Sequence, residues 1–241
     1  ASTVGLVNYD QLTKKNGGLS LQTEPYGASR NLCTSERFFD QETSPFCSGF
    51  LVAPDVVATA GHCVPTQSLC MRTKFVFGFS IPMPGQIVKD FSNDDVYGCQ
   101  TLLISKRELK GADFSLVKLD RPVLNRRPLT MRSSGQIQMN DSLMVIGHPT
   151  GLPTKISEHG KVRLINSDFF VTTLDTYGGN SGSAVFNSQT YEVEGILVRG
   201  EKDFVNAPNN LCRISNVCDE SGCRGEDVTR VEAFRQLIFR K

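Results

Sequence analysis

Short apolar runs, rich in β-branched and aromatic residues, recur along the chain between clusters of Gly, Pro, Asn and Asp. Runs of this length with such boundaries are typical of strands in a sandwich or barrel. The pattern therefore predicts an all-β protein. Its predicted strands cover residues 50–53, 56–59, 74–79, 114–119, 143–146, 169–173, 183–186 and 193–198.

A segment with two prolines and mixed charge, residues 120–128, separates the two groups of strands. Proline cannot donate a hydrogen bond within a central strand, so this segment is the best candidate for a linker. We therefore expect two β units. One covers residues 1–125, and the other covers residues 126–241.

Near the end of the chain, the apolar residues recur with a different period. Apolar residues from Val231 to Ile238 recur at helical spacing, and Asp227 and Thr229 are candidate N-caps. The basic residues at 240–241 would lie at the negative end of the helix dipole. This pattern predicts a C-terminal α-helix.

Composition limits the classes of function that the chain can have. A net charge of +1 leaves no basic excess for general nucleic-acid binding, and no apolar run approaches the roughly 20 residues of a membrane span. The start at Ala1, without an initiator Met or an export signal, predicts a processed terminus. Eight cysteines without a CxxC motif or metal-type spacing favour disulfides in a secreted or periplasmic protein. Reduced, buried thiols remain the alternative.

Three segments carry the residue types of nucleophilic catalysis. His62 follows an apolar run, Asp113 opens a strand-like run, and Ser181 stands between glycines in the segment 177–183. A serine hydroxyl becomes reactive when a histidine accepts its proton and a carboxylate fixes that histidine. The sequence therefore predicts a catalytic triad of His62, Asp113 and Ser181.

Other residues of the same types have simpler interpretations. Asp94 and Asp95 lie in a turn-like sequence, where aspartates commonly bond to their own backbone, so Asp113 is favoured. His148 and His159 stand in turn-like segments with no nucleophile beside them. Structural or solvated roles are expected for both histidines.

The three segments, in the order His, Asp, Ser, resemble the chymotrypsin/trypsin-like serine proteases. The resemblance implies two antiparallel β-barrels with the active site in the cleft between them. It also implies an oxyanion hole formed by the N–H groups of Gly179 and Ser181, and a disulfide between Cys47 and Cys63. The matching segments are 46–63, 113–119, 177–183 and 228–234.

Two departures concern activation. Asn180 stands where trypsin-like zymogens carry an aspartate, and the chain begins Ala1-Ser2 rather than Ile-Val-Gly-Gly. An amide cannot form that buried ion pair with a new N-terminus. The Gly-Asn-Ser-Gly-Ser sequence, with residues 185–187, is more similar to the bacterial glutamyl-endopeptidase branch.

Substrate preference is predicted from the resemblance. Leu197 replaces the histidine that glutamyl endopeptidases use for glutamate, whereas Asp175 has the spacing of the trypsin pocket aspartate. A carboxylate there would favour Arg or Lys at P1, unless Asp175 is a turn residue or a partner of Arg199. Arg199 is expected to face solvent. The expected substrate-binding residues are Asp175, Thr176, Leu197, Val198, Arg199 and Gly200.

These observations predict a monomeric serine endopeptidase that acts on peptides or proteins, with no cofactor and no metal. The alternative is a non-catalytic or dormant protein of the same fold that binds without hydrolysing. Six cysteines outside the pair at 47 and 63 could form disulfides in 15 ways, among which the sequence does not choose.

Overall fold

The computed structural model describes residues 2–208, 210–218 and 222–238. The strands in chain order are β1 (Thr3–Asn8), β2 (Leu12–Lys15), β3 (Gly18–Leu21), β4 (Glu24–Pro25), β5 (Glu42–Thr43), β6 (Cys47–Ala53), β7 (Val56–Thr59), β8 (Thr73–Phe77), β9 (Asp90–Phe91), β10 (Val96–Arg107), β11 (Asp113–Leu119), β12 (Ser142–Gly147), β13 (Lys155–Ile165), β14 (Phe169–Thr172), β15 (Ala184–Asn187), β16 (Val193–Arg199), β17 (Phe204–Asn206), β18 (Arg213–Ser215) and β19 (Glu226–Arg230). The helices are α1 (Tyr26–Ser29) and α2 (Gln67–Met71), and 3₁₀ turns cover Tyr9–Gln11, Asn93–Asp95, Pro149–Gly151, Val231–Ala233 and Arg235–Leu237.

Two closed six-stranded antiparallel barrels form the molecule. The first has the strand order β1-β6-β7-β11-β10-β8, and the second has the order β12-β13-β14-β19-β16-β15. This architecture confirms the predicted all-β fold. The expected boundary at residue 125 lies in the connection between β11 and β12, and the domain limits themselves stay a prediction.

The first 45 residues, which lie outside the segments that carry the resemblance, contribute a barrel strand. β1 pairs with β6 on one side and with β8 on the other, with Val4 opposite Gly49 and Phe77. Its residues Val4 and Leu6 are fully buried. The N-terminal segment therefore completes the barrel that carries His62.

The predicted C-terminal α-helix is wrong. Asp227 and Thr229, expected as N-caps, lie inside β19, which is a central strand between β14 and β16. Val231–Ala233 and Arg235–Leu237 form 3₁₀ turns, and residues 239–241 lie outside the described residues. Sheet pairing on both sides outweighs a local helical pattern here because it satisfies the backbone and buries Val228.

One apolar core extends across the barrel interface. It joins first-barrel residues such as Phe114 to second-barrel residues such as Ile196, and it includes Phe234 after β19. The rings of Phe114 and Phe234 lie 5.8 Å apart. Because the residues after β19 pack against the first barrel, they fix the two barrels in one arrangement and so fix the cleft between them.

Four disulfides are present among the described residues. They join Cys33 to Cys212, Cys47 to Cys63, Cys70 to Cys99 and Cys218 to Cys223. The first of them ties the N-terminal segment to the β17–β18 hairpin. Within the part of the chain that the structure describes, no helix has the length and apolar character needed to cross a membrane.

Candidate active site

His62 and Asp113 meet at the end of neighbouring strands. β7 pairs with β11, so the turn after β7 lies beside the first residue of β11. The His62 main-chain N–H donates to Asp113 Oδ1 at 3.1 Å, and the ring Nδ1 lies 2.9 Å from Asp113 Oδ2. Because Asp113 is buried, we assign the ring proton to Nδ1, which leaves Nε2 able to accept a proton.

The disulfide between Cys47 and Cys63 holds the histidine turn. Cys47 begins β6 and Cys63 follows His62 directly. Both sulfur atoms and a ring nitrogen of His62 lie within 4.8 Å of one another. Metals bind thiolates, and both sulfurs are in the disulfide, so this cluster does not offer a metal-ligand set.

Arg199 lies behind the Asp113 carboxylate rather than in solvent, which corrects the expectation for this residue. Its Nε lies 2.9 Å from Asp227 Oδ2, and its Nη1 lies 3.7 Å from Asp113 Oδ2. It also donates to the main-chain oxygens of Glu108 and Gly111, both at 3.0 Å. Arg199 thus links both barrels next to the His62–Asp113 pair.

Ser181 lies in a pair of consecutive β-turns. The Asn180 N–H donates to Tyr177 O at 3.1 Å, and the Ser183 N–H donates to Asn180 O at 2.9 Å. The third residue of each turn is a glycine with positive φ, +88° at Gly179 and +92° at Gly182. A type II turn requires this backbone angle, so the glycine spacing around Ser181 follows from the two turns.

The amide groups beside Ser181 are available for a ligand. The Gly179 carbonyl accepts a hydrogen bond from Ser48 Oγ at 2.8 Å, and the Gly178 carbonyl accepts one from Thr150 N at 2.5 Å. Among the described residues, neither the Gly179 N–H nor the Ser181 N–H has an acceptor, and no hydrogen bond joins the Ser181 hydroxyl to His62. Two unsatisfied N–H groups next to a serine are what an oxyanion hole requires.

A cavity of about 120 Å³ opens beside Ser181. Five of the six expected substrate-binding residues line it, namely Thr176, Leu197, Val198, Arg199 and Gly200. Three carboxylates outside the expected substrate-binding set also line it, namely Glu201, Asp203 and Glu226. Glu226 was missed because its segment directly precedes the predicted helix.

Asp175 does not line the cavity beside Ser181, which corrects its expected place in the pocket. Asp175 is exposed and lines two neighbouring cavities instead. Its main-chain carbonyl accepts a hydrogen bond from Ser157 Oγ at 2.8 Å. One of these two cavities is also lined by Asp203 and Glu226.

The other polar residues of interest have structural surroundings. His148 is buried and its Nδ1 donates to Leu152 O at 3.0 Å, and desolvation by burial lowers the pKa of its ring to about 4. Asn180 is buried and its Oδ1 accepts from Ser183 Oγ at 3.2 Å. His159 is exposed in β13 with a positive φ of 68°. None of them contacts the His62–Asp113 pair.

Comparison with known proteins defines the class. The family model for the trypsin-like peptidase domain matches residues 47–196, more than half of the chain. The chain therefore belongs to the trypsin-like peptidase family.

Particular relatives come from Staphylococcus aureus. A glutamyl endopeptidase of strain MRSA252 is 34% identical over 160 residues, which cover 62% of this chain and 41% of that protein. A glutamyl endopeptidase of strain MW2 is 34% identical over 92 residues, which cover 35% of this chain and 28% of that protein. The chain thus matches less than half the length of these curated relatives.

Proposed function

We propose that the protein is an exported serine endopeptidase whose catalytic triad is Ser181, His62 and Asp113. The observation that carries the proposal is the double contact of Asp113 with the His62 main chain and ring, at 3.1 and 2.9 Å, next to Ser181, whose main-chain oxygen lies 3.7 Å from the sulfur of Cys63. Family membership supports the reaction class. The disulfides support export, because such bonds persist in oxidising compartments.

The proposed mechanism uses each group for one task. His62 Nε2 accepts the proton of the Ser181 hydroxyl as Oγ attacks the scissile carbonyl, and His62 then returns the proton to the leaving amine. Asp113 keeps the Nδ1 proton in place and stabilises the imidazolium. The N–H groups of Gly179 and Ser181 stabilise the oxyanion of the tetrahedral intermediate. An acyl-enzyme forms on Ser181 and water hydrolyses it.

Substrate binding follows from the same elements. The backbone of residues 197–200 pairs with an extended peptide as an added strand, and the P1 side chain enters the cavity beside Ser181. The three carboxylates of that cavity favour a Lys or Arg side chain and repel an acidic one. Leu197 is buried where the glutamyl-endopeptidase pattern has a histidine, so glutamate preference has no support at that position. The substrate is a peptide or protein, and the enzyme acts as a monomer.

A Ser181→Ala variant tests the proposal. We expect it to lose at least about 10⁴-fold in kcat, because the hydroxyl is the nucleophile while the oxyanion hole alone gives weak residual catalysis. Peptide hydrolysis and labelling by a diphenyl phosphonate would be measured on the wild type and the variant. Thermal unfolding serves as the control for folding, and near wild-type turnover in the variant would refute the assignment.

The same experiment distinguishes an active enzyme from the alternative, a dormant or non-catalytic protein. A dormant or non-catalytic protein of this fold would leave the wild type unlabelled by the phosphonate, although it folds normally. The missing hydrogen bond between Ser181 and His62 in the free protein is compatible with an active enzyme, because such bonds often tighten only with substrate. Labelling of the wild type alone would establish the active form.

A further inference from the structure

Glu226 forms part of the wall of the cavity beside Ser181. This residue begins β19 and is 8% exposed. Its Oε2 accepts a hydrogen bond from Thr176 Oγ1 at 2.9 Å. Both carboxylate oxygens lie against Gly200, at positions that a Cβ on that residue would overlap. The absence of a side chain at Gly200 therefore lets this carboxylate form part of the cavity wall.

Among the described residues, Glu226 has no counterion. No Lys or Arg in the described part of the chain forms an ion pair with it, and the nearest cation on the same strand segment, Arg224, lies 2.7 Å from Asp227. Buried carboxylates are ordinarily paired, because an unpaired charge is costly away from water. An unpaired carboxylate on the wall of a cavity is therefore a site for a cation that comes with the ligand.

The charges around Glu226 come from each neighbouring segment. Arg224, on the loop before β19, and the Glu201 N–H favour its ionised form, whereas Asp203 opposes it. On β16, Arg199 faces Asp227, and the partner of Glu226 on β14 is the uncharged Thr172. Burial outweighs the favourable contacts and raises the pKa of Glu226 to about 7.

We propose that Glu226, rather than Asp175, determines specificity at P1: its ionised carboxylate binds the cation of a lysine or arginine side chain, and its protonated form does not. This inference rests on the proposed function, because it assumes that the P1 residue occupies the cavity beside Ser181. It adds a pH-dependent substrate choice to that function. Basic P1 residues are selected at neutral and alkaline pH, and the preference over neutral side chains of the same shape weakens in acid.

The direction of the pH dependence follows from the charge of Glu226. Above pH 7 a carboxylate faces a guanidinium or ammonium group, and the charge-assisted contact stabilises the bound substrate. Below pH 7 Glu226 holds a proton and offers only neutral hydrogen bonds. The remaining carboxylates, Glu201 and Asp203, also line the cavity, so some attraction for cations persists when Glu226 is neutral.

Two peptides that differ only at P1 test the pH-dependent substrate preference directly. One peptide has arginine at P1, and the other has citrulline, which keeps the shape of arginine without its charge. The protonation of His62 affects both kcat/KM values equally, because both substrates need the same base, and it therefore cancels in their ratio. We expect the ratio to fall at least about tenfold between pH 8 and pH 5.5 as Glu226 gains its proton. Glu226→Gln should give a low ratio that is flat with pH.

Asp175→Asn is the matched variant that decides between the two carboxylates. Our inference predicts that it keeps both the ratio and its pH dependence. If Asp175→Asn removes the arginine preference while Glu226→Gln keeps it, Glu226 is not the selecting residue. A high ratio that does not change between pH 5.5 and 8 in the wild type would also overturn the inference.

Binding of benzamidine to the Ser181→Ala protein separates this inference from the proposed function, because it needs no catalysis. With a pKa of about 7 for Glu226, we expect binding about 30-fold weaker at pH 5.5 than at pH 8. In the Ser181→Ala, Glu226→Gln double variant it should be weak at both pH values. If benzamidine binds as expected but the wild-type protein hydrolyses no peptide, only the proposed function is contradicted. Unchanged binding in the double variant would contradict only the role of Glu226.

Discussion

Arg199 places a permanent positive charge next to the predicted catalytic carboxylate. Its guanidinium lies between Asp227, at 2.9 Å, and Asp113, at 3.7 Å. A cation near Asp113 stabilises the carboxylate and competes with the imidazolium for its charge. Arg199 is therefore a positioning residue, which acts on His62 through Asp113.

Arg199→Met tests this role. We expect the acid limb of kcat/KM for a neutral P1 substrate to move to higher pH, because Asp113 then stabilises the protonated His62 more strongly. The loss of a partner of buried Asp227 should also lower the free energy of unfolding by about 3 kcal/mol.

Arg224→Met is the control, because Arg224 contacts Asp227 from a more exposed position and no ion pair joins it to Asp113. It should lower stability less and leave the acid limb in place. An Arg199→Met profile that overlays the wild-type profile would show that Arg199 supports the fold only.

At the scale of elements, the two turns around Ser181 depend on their glycines. A Cβ on Gly182 would overlap Ser48 O and Thr59 Oγ1, which belong to the first barrel. Ser48 N also donates to Ser181 O at 2.8 Å. The second turn is thus packed against β6 and β7, and its backbone angle and close contact both require glycine.

Gly182→Ala should therefore destabilise the protein by more than about 1 kcal/mol and lower activity, because both the left-handed backbone angle and the overlap oppose it. Gly135→Ala is the matched control. Gly135 also has a positive φ, +69°, but a Cβ on this residue would meet no other atom within 4 Å. Urea unfolding of both variants measures the difference, and equal losses would mean that close packing contributes nothing.

Eight of the twelve barrel strands were predicted from their apolar runs, whereas β1, β10, β13 and β19 were not. β6, β7, β8, β11, β12, β14, β15 and β16 all overlap predicted runs. β13 was missed because most of its side chains are polar and its pairing with β12 contains a bulge. β19 was missed because the helical pattern after it extends into its sequence. Strand pairing at long range decided both cases.

The same contrast holds for the site. His62, Asp113 and Ser181 could be proposed from the sequence because each stands in a local motif with recognisable chemistry. Glu226 was not identified from the sequence, because the cavity is assembled from residues 176–178, 181, 197–201, 203 and 226, which only the barrel closure brings together. Asp175 lies six residues before Ser181, as in the trypsin pattern. It lines the two neighbouring cavities and not the cavity beside Ser181.

For the whole molecule, the junction between the barrels passes through Ser48 and His148. Ser48 Oγ, on β6, accepts from the His148 N–H at 2.9 Å and donates to Gly179 O at 2.8 Å. The His148 ring packs 6.0 Å from the ring of Phe79. One first-barrel hydroxyl thus connects a buried second-barrel histidine with the turn that presents the Gly179 amide.

His148 should make the protein sensitive to acid. Its pKa is lowered from 6.5 to about 4 in the folded state, so the unfolded chain binds a proton first as the pH falls. Stability contributed by the neutral ring is complete above pH 6.5 and is lost between there and about pH 4. A difference of this size corresponds to about 3 kcal/mol.

His148→Asn isolates this contribution, because an amide nitrogen can replace Nδ1 as donor to Leu152 O but does not titrate in this range. The wild type should be more stable than the variant at pH 7.5, and the gap in unfolding free energy should narrow by about 3 kcal/mol by pH 4. Glu226 acts in the opposite direction, since its raised pKa lowers stability as the pH rises from 4.5 towards 7. That effect is common to both proteins and cancels in the gap. Urea unfolding with disulfides intact at several pH values measures the gap, and a constant gap would mean that His148 does not titrate with folding.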